Sequence, residues 1–176
     1  MAERTLAAAL EKEHRDIDGG IEEYTEAADA GHGDPAPLRR SMTGLRRHIY
    51  LEETFLFPPM RASLMMPIMV MLREHGELWN AMDDIETMLD ENAGDEATRN
   101  ACRELLSLLD KHNSKEEPII YTQADELLSA EASGELADFL DEGTMPDGWV
   151  CEQAGETSQS ARGGNAPAER RPPWER

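Results

Sequence analysis

The stretch "HIYLEETFLFPPM" at residues 48–60 returns 64 residues later, in outline, as "HNSKEEPIIY" at residues 112–121. His48, Glu52 and Glu53 recur as His112, Glu116 and Glu117, and Phe57 recurs as Tyr121. On an α-helix, residues i and i+4 differ by about 40° in direction and about 6 Å in height. Each histidine therefore faces the same way as the first of its two glutamates. One such pair is an ordinary contact on a solvated helix face. Its repetition in a second segment points to a shared destination.

Four segments carry apolar residues at helical spacing. The first spans about residues 5–30, with Leu6, Leu10, Ile17 and Ile21, and stops at "AGHGDP". The second spans about residues 37–56, with Leu38, Met42, Leu45, Ile49 and Phe55, and Pro58-Pro59 is expected to end it. The third starts near Pro67, a favourable first helical position, and runs to about Glu91. The fourth runs from about Glu96 to Leu128, where Pro118 predicts a kink, because proline removes a backbone donor and crowds the preceding turn. Long helices, short connections and no strand signal predict an all-α, up-down-up-down four-helix bundle over residues 1–130. A short helix at "GELADFLDEG" and the turn "MPDG" with "WVC" are expected to pack on it as residues 131–151. Residues 152–176 are rich in Gly, Ser, Ala, Pro and Arg, have little to bury, and predict a disordered tail.

Two more histidines complete a pattern. "EKEH" ends at His14 on the first helix and "LREH" at His75 on the third. The chain thus reads as a duplicated helical hairpin, with one histidine on each helix and one carboxylate on every second helix. Four imidazoles and two carboxylates converging in a bundle core suit a two-metal site. A buried, unpaired carboxylate is costly, whereas one that ligates a metal is compensated. Imidazole-rich ligation suits Fe, Zn or Cu rather than Mg or Ca. Two bridging carboxylates with nitrogen caps point to iron.

The arrangement H…HxxxE…H…HxxxE resembles the bacterial type of hemerythrin-like (HHE cation-binding) domain. The resemblance covers about residues 5–130 and implies a hemerythrin-like four-helix bundle with a non-haem di-iron centre. It implies that His14, His48, Glu52, His75, His112 and Glu116 are metal ligands. Glu52 and Glu116 would bridge two iron ions beside an oxo or hydroxo group, and the four histidines would cap them. The oxygen carriers of the family have an H-x3-H pair on the third helix and H-x4-D on the fourth. Here Trp79 stands four residues after His75, and the fourth-helix spacing is H-x3-E. One nitrogen ligand is missing. Asp18, on the face of His14, is the leading substitute, followed by Glu53 and Glu117, which suit supporting roles better. Trp79 is expected to wall the metal site, and His32, in a loop without a carboxylate partner, is expected to stay out of it.

These residues allow three functions: uptake of O2 or NO, an oxidoreductase consuming peroxide (H2O2) or NO at an open iron position, or an iron store or donor for iron-centre repair. A formal charge of −20, from 37 acids and 17 bases, argues against nucleic acid or an anionic membrane as partner. The start "MAERTLAAAL" lacks a secretory pattern, and the nine-residue run "LMMPIMVML" is too short to span a bilayer. Cys102 and Cys151 are no disulfide framework. The expectation is a cytoplasmic monomer or weak homo-oligomer. Met60, Met65, Met66, Met69 and Met71 are expected to fill core gaps, the alternative being a soft apolar lining that admits O2, NO or peroxide. Tyr50 is expected to lie away from His48, Trp149 to dock the C-terminal turn, and Cys151 to be unreactive.

Overall fold

Helix starts follow local capping chemistry. Thr5 accepts from the Ala8 N–H and opens α1 (Leu6–Asp29). Gly31 then takes a left-handed φ of 83°, a region glycine enters without penalty, and the chain turns. Asp34 caps α2 (Pro35–Leu51), whose first turn carries the prolines that suit it. A short helix α3 (Phe57–Met60), then α4 (Met65–Asp90), α5 (Asp95–Glu116), α6 (Thr122–Leu127) and α7 (Ala130–Glu142) complete the elements. The protein is seen as a computed structural model that describes residues 5–92 and 95–155. No strand occurs among the described residues. No helix among them is long and apolar enough to cross a membrane.

Helix α1 packs on α2 and α5, and α4 packs on α5 and α2. The four long helices therefore close a ring, as the sequence predicts. Helix α7 lies outside it, against α1, α2 and the segment after α2. The core is split in two. One apolar cluster joins Ile17, Ile21, Met42, Leu45, Leu78, Met82, Cys102 and Leu105. The other joins Leu10, Leu51, Leu56, Met60, Ile68, Leu72, Ile120 and Leu136. On every long helix the break between the clusters falls at the polar residues of the repeat, so a layer of His and Glu is sealed between two greasy ends.

Neither proline motif ends its helix. Residues Glu52–Leu56 and Glu117–Tyr121 form π-turns, and the helix continues through Pro58-Pro59 to Met60 and through Pro118 to Leu127. A π-turn bonds i to i+5 and widens the helix by one residue. That widening relieves the crowding a proline ring imposes on the preceding turn. The two turns sit at matching places in the duplicated hairpins.

Two other expectations need correction. Met60 and Met71 are buried, but Met65, Met66 and Met69 are roughly half exposed or more and do not fill the core. Beside Met66, a surface groove is lined by Pro67, Val70, Met71, Ile119 and Ile120. Residues 152–155, expected in the tail, lie on the bundle instead. The Glu152 N–H donates to Glu53 Oε2 at 3.0 Å, and the Gly155 N–H donates to Asn80 Oδ1 at 3.1 Å. The rest of the expected tail, residues 156–176, lies outside the described residues. Trp149 packs edge-on against Tyr50 and Trp79, with ring centroids 5.0 and 5.6 Å away.

This strap, residues 149–155, crosses α4 at Gly76, where the Gln153 carbonyl oxygen lies 2.6 Å from the place a Cβ would occupy. Gly76→Ala is therefore expected to lift the strap and cost about 1–3 kcal/mol of stability. The Glu152 and Gly155 amides should lose protection from hydrogen exchange while the helical circular dichroism persists. Unchanged melting and protection would show that the strap does not seat there.

Candidate metal centre

The duplicated motif delivers its histidines to one layer. His14, His48, His75 and His112 are all buried, and Glu52 and Glu116 have 0% exposure. Each histidine offers its inner ring nitrogen to that layer. His48 Nε2 lies 3.1 Å from Glu52 Oε1, and His75 Nε2 lies 3.1 Å from Glu52 Oε2. His112 Nε2 lies 3.1 Å and His14 Nε2 3.6 Å from Glu116 Oε2. Each glutamate thus faces one histidine from its own helix and one from the other hairpin.

The outer ring nitrogens explain which way the imidazoles point. His14 Nδ1–H donates to Glu117 at 2.8 Å, His48 Nδ1–H to Glu13 at 2.7 Å, His75 Nδ1–H to Glu53 at 2.8 Å and His112 Nδ1–H to Glu74 at 3.1 Å. A carboxylate only accepts, so these bonds place a proton on every Nδ1. In the neutral tautomer each Nε2 is left as a lone pair aimed inward. Carboxylate support of this kind fixes the ring and strengthens an imidazole as a metal ligand. The supports form a cycle: a glutamate on each segment of the bundle holds the histidine of the next, and Glu117 closes it on His14. Glu13 and Glu74 are the residues directly before His14 and His75, while Glu53 and Glu117 directly follow Glu52 and Glu116.

Three of these supports are themselves held. Arg47 donates to Glu13 at 2.8 Å, and also to the carbonyls of Phe139, Leu140 and Gly143 at the end of α7. Lys115 pairs with Glu74, and the Glu152 amide donates to Glu53. The C-terminal helix and strap therefore brace the layer from outside.

A cation is what the layer lacks chemically. Glu52 Oε2, His75 Nε2 and both oxygens of Glu116 make no hydrogen bond, although their neighbours are close. Lone pairs on nitrogen and oxygen facing each other at 3.1 Å repel unless a proton or a metal ion lies between them. The electrostatics agree. Burial alone would lower the pKa of His48, but Glu52 and Glu13 raise it to about 10. Against the same burial, Glu116 and Glu74 raise His112 to about 10, and Glu52 and Glu53 raise His75. Despite its burial, Glu52 is held well below the usual carboxylate range by His48 and His75. His14 differs: burial and the neighbouring His48 push it down to about 4. A metal entering such a layer displaces protons.

Two overlapping donor groups have ligand atoms within 4.8 Å of one another: Glu52, His75, His112 and Glu116, and His14, His48 and Glu52. Together they contain all six residues of the repeated motif and share Glu52. Asp18 belongs to neither group, and His32 is exposed in the loop between α1 and α2. Trp79 is buried, packs edge-on against Trp149 and lies beneath the Arg46 guanidinium, 5.3 Å from its ring, so it anchors the strap on α4. Burial first, and Glu53 second, push the Cys151 thiol up to about 12, which leaves it protonated and inert.

Tyr121 is the participant that the sequence reading passed over. It is fully buried, and its hydroxyl donates to Glu52 Oε1 while lying 2.8 Å from His14 Nε2 and 2.9 Å from His48 Nε2. Nine residues separate it from His112, which on a straight α-helix puts it about 180° away. The intervening π-turn brings it inward. Burial, then Glu116 and Glu52, raise its phenol well above the usual range. The signal available in sequence was Phe57 recurring as Tyr121, with a proline directly after Glu117 and another directly after Phe57.

Two outcomes test this arrangement. Glu13→Gln and Glu74→Gln should each weaken metal retention about 10–100-fold, as measured by chelator competition. His32→Ala should leave it unchanged, and equal losses in all three would mean the supports are ordinary surface acids. Burial first, then Glu22, Glu117 and Asp110, push Asp18 up to about 6. A carboxyl raised from its unfolded value near 3.8 favours the folded state only where it is protonated, so stability falls as pH rises through about 6. Asp18→Asn should therefore raise the melting temperature at pH 8, with the gain fading between pH 6 and pH 4. The absence of any gain at pH 8 would mean that ionised Asp18 is solvated, and a gain that did not vary with pH would mean that it does not come from the carboxyl's ionisation.

The profile of the hemerythrin HHE cation-binding domain matches residues 5–124, a span that includes all six residues of the repeated motif and Tyr121. No curated protein and no solved structure gives a match. The chain belongs to the hemerythrin HHE cation-binding domain family.

Proposed function

We propose that the chain is a non-haem di-iron protein that binds or reacts with O2, NO or peroxide. The carrying observation is that one buried carboxylate, Glu52, serves both donor groups. A glutamate with two oxygens, each aimed at a different histidine, suits two ions about 3.5–4 Å apart or slightly closer. The mixture of imidazole and carboxylate, without thiolate, fits iron better than a structural zinc site or an oxygen-only cage. An oxo or hydroxo group would complete the bridge.

The protein supplies a dry, pre-oriented cage. Apolar clusters close the layer on both sides. His14, His48 and Glu52 are three donors where an iron accommodates up to six, which supports an exchangeable position for a small ligand. The groove beside Met66 runs down to Met71 and Ile120, whose side chains belong to the cluster adjoining the layer. An apolar approach of this kind favours small uncharged molecules. A peroxide- or NO-consuming enzyme and a reversible carrier both use such a position, and turnover separates them.

Protein purified from iron-replete cells should hold two irons per chain and absorb in the near ultraviolet. Glu52→Ala should lose both ions, and removal of metal should lower the melting temperature, because inward ligands are then left without partners. Added peroxide should evolve O2 rapidly if the site is an enzyme, whereas a reversible oxygenated spectrum without turnover identifies a carrier. Stoichiometric zinc with no iron, or equal melting with and without metal, would overturn the di-iron reading.

A further inference from the structure

We infer that the Tyr121 phenol oxygen is a protein ligand of the ion held by His14, His48 and Glu52. This rests on the di-iron reading and replaces the missing fifth histidine with a named donor. Three observations carry it.

The first is a donor count that differs between the two halves. His75 and His112 are grouped with two carboxylates, Glu52 and Glu116, whereas His14 and His48 are grouped with Glu52 alone, because Glu116 Oε2 lies nearer His112 Nε2, at 3.1 Å, than His14 Nε2, at 3.6 Å. Tyr121 brings the poorer half to four donors. At the matching place in the richer half stands Phe57, with no oxygen to offer, stacked on His75 with ring centroids 5.5 Å apart and planes at 14°. The hydroxyl occurs only where a donor is short.

The second is spacing. Donors about 2.1 Å from an octahedral ion lie about 3.0 Å apart when they occupy neighbouring corners. The phenol oxygen is 2.8 Å from His14 Nε2 and 2.9 Å from His48 Nε2, and it touches Glu52 Oε1. Those three atoms are the donors of the poorer group.

The third is the backbone that delivers it. Tyr121 ends a π-turn that begins at Glu117, directly after Glu116. Without that turn the ring would face the outside of the bundle. Apolar filling would not need a hydroxyl at this depth, because phenylalanine satisfies the equivalent place in the other hairpin.

On coordination, the phenol O–H bond is exchanged for an oxygen–metal bond and the proton leaves to solvent. No electron is transferred, so the iron keeps its oxidation state. A phenolate is a hard anionic donor and favours the ferric ion over the ferrous one. The site it completes is therefore better suited to ferric resting chemistry than to carrying O2 on a reduced pair.

Full-length ferric protein provides the test. A phenolate bound to ferric iron gives a visible charge-transfer band, and Raman excitation within it reveals tyrosine ring modes. Those modes should shift when the protein is made with ring-deuterated tyrosine. The chain has three tyrosines, and Tyr121→Phe should abolish the band while iron stays bound. Iron-loaded protein without tyrosine ring modes, or a band that survives in Tyr121→Phe, would overturn the assignment and leave the di-iron reading standing. Failure of the wild-type chain to bind iron would overturn both. Should Tyr121→Phe not fold, the labelled wild-type spectrum decides alone.

Discussion

Two carboxylates without solvent, Glu52 and Glu116, set the terms for the whole molecule. A charge at that depth is tolerated only among compensating partners. Everything around the pair follows from that demand. Four histidines converge on it, the apolar core divides to make room for it, and both π-turns begin at or beside it. A hydrophobic layer in the same place would give a simpler bundle, so the polar layer has to be read as the purpose of the fold.

The ring of supporting glutamates converts that demand into geometry. An imidazole on its own can rotate or change tautomer, but one whose Nδ1–H is committed to a carboxylate can present only Nε2 to the interior. Because Arg47, Lys115 and the Glu152 amide hold three of the supports, the precision of the centre extends to the periphery. Helix α7 and the strap thus belong to the site mechanically although they provide none of its six His and Glu donors. That accounts for the seating of Trp149 between Tyr50 and Trp79 on a bundle that already had its four helices.

Most of the fold and the six buried His and Glu side chains of the layer were legible because i,i+4 geometry holds wherever the helix is regular. His48, His112 and Glu116 lie in α-helical segments and Glu52 directly follows one, ahead of the distortion its π-turn introduces, so their facing could be read directly. Tyr121 could not, because one π-turn shifts everything beyond it by a residue, and a straight-helix projection sends it to the wrong side. The first of the two π-turns defeated the reading of Pro58-Pro59 as a stop, and the second puts a local distortion of the helix at Pro118, where one was expected. For Trp79 the contacts with the strap were out of reach for a different reason. Its spacing from His75 indicates a shared side of the helix, but its contacts with Trp149 and Arg46, distant in sequence, cannot be read from that spacing. Met65, Met66 and Met69 show that hydrophobic character alone does not specify burial at the edge of a bundle.

The closing bond of the support ring also bears on how the protein is made. His14 and Glu117 are 103 residues apart, and their hydrogen bond joins the first long helix to the last. Contacts so distant in sequence form late, after local helices and adjacent hairpins. During synthesis from the N-terminus, an emerging chain that has not yet reached Glu117 can assemble His48 with Glu13 and His75 with Glu53, but it leaves His14 unsupported. Each half of the duplication is thus insufficient by itself, and the full layer of His and Glu is tied to completion of the bundle. A fragment that ends before Glu117 lacks the one bond that orients His14, so the six-residue layer is a property of the finished chain rather than of either hairpin.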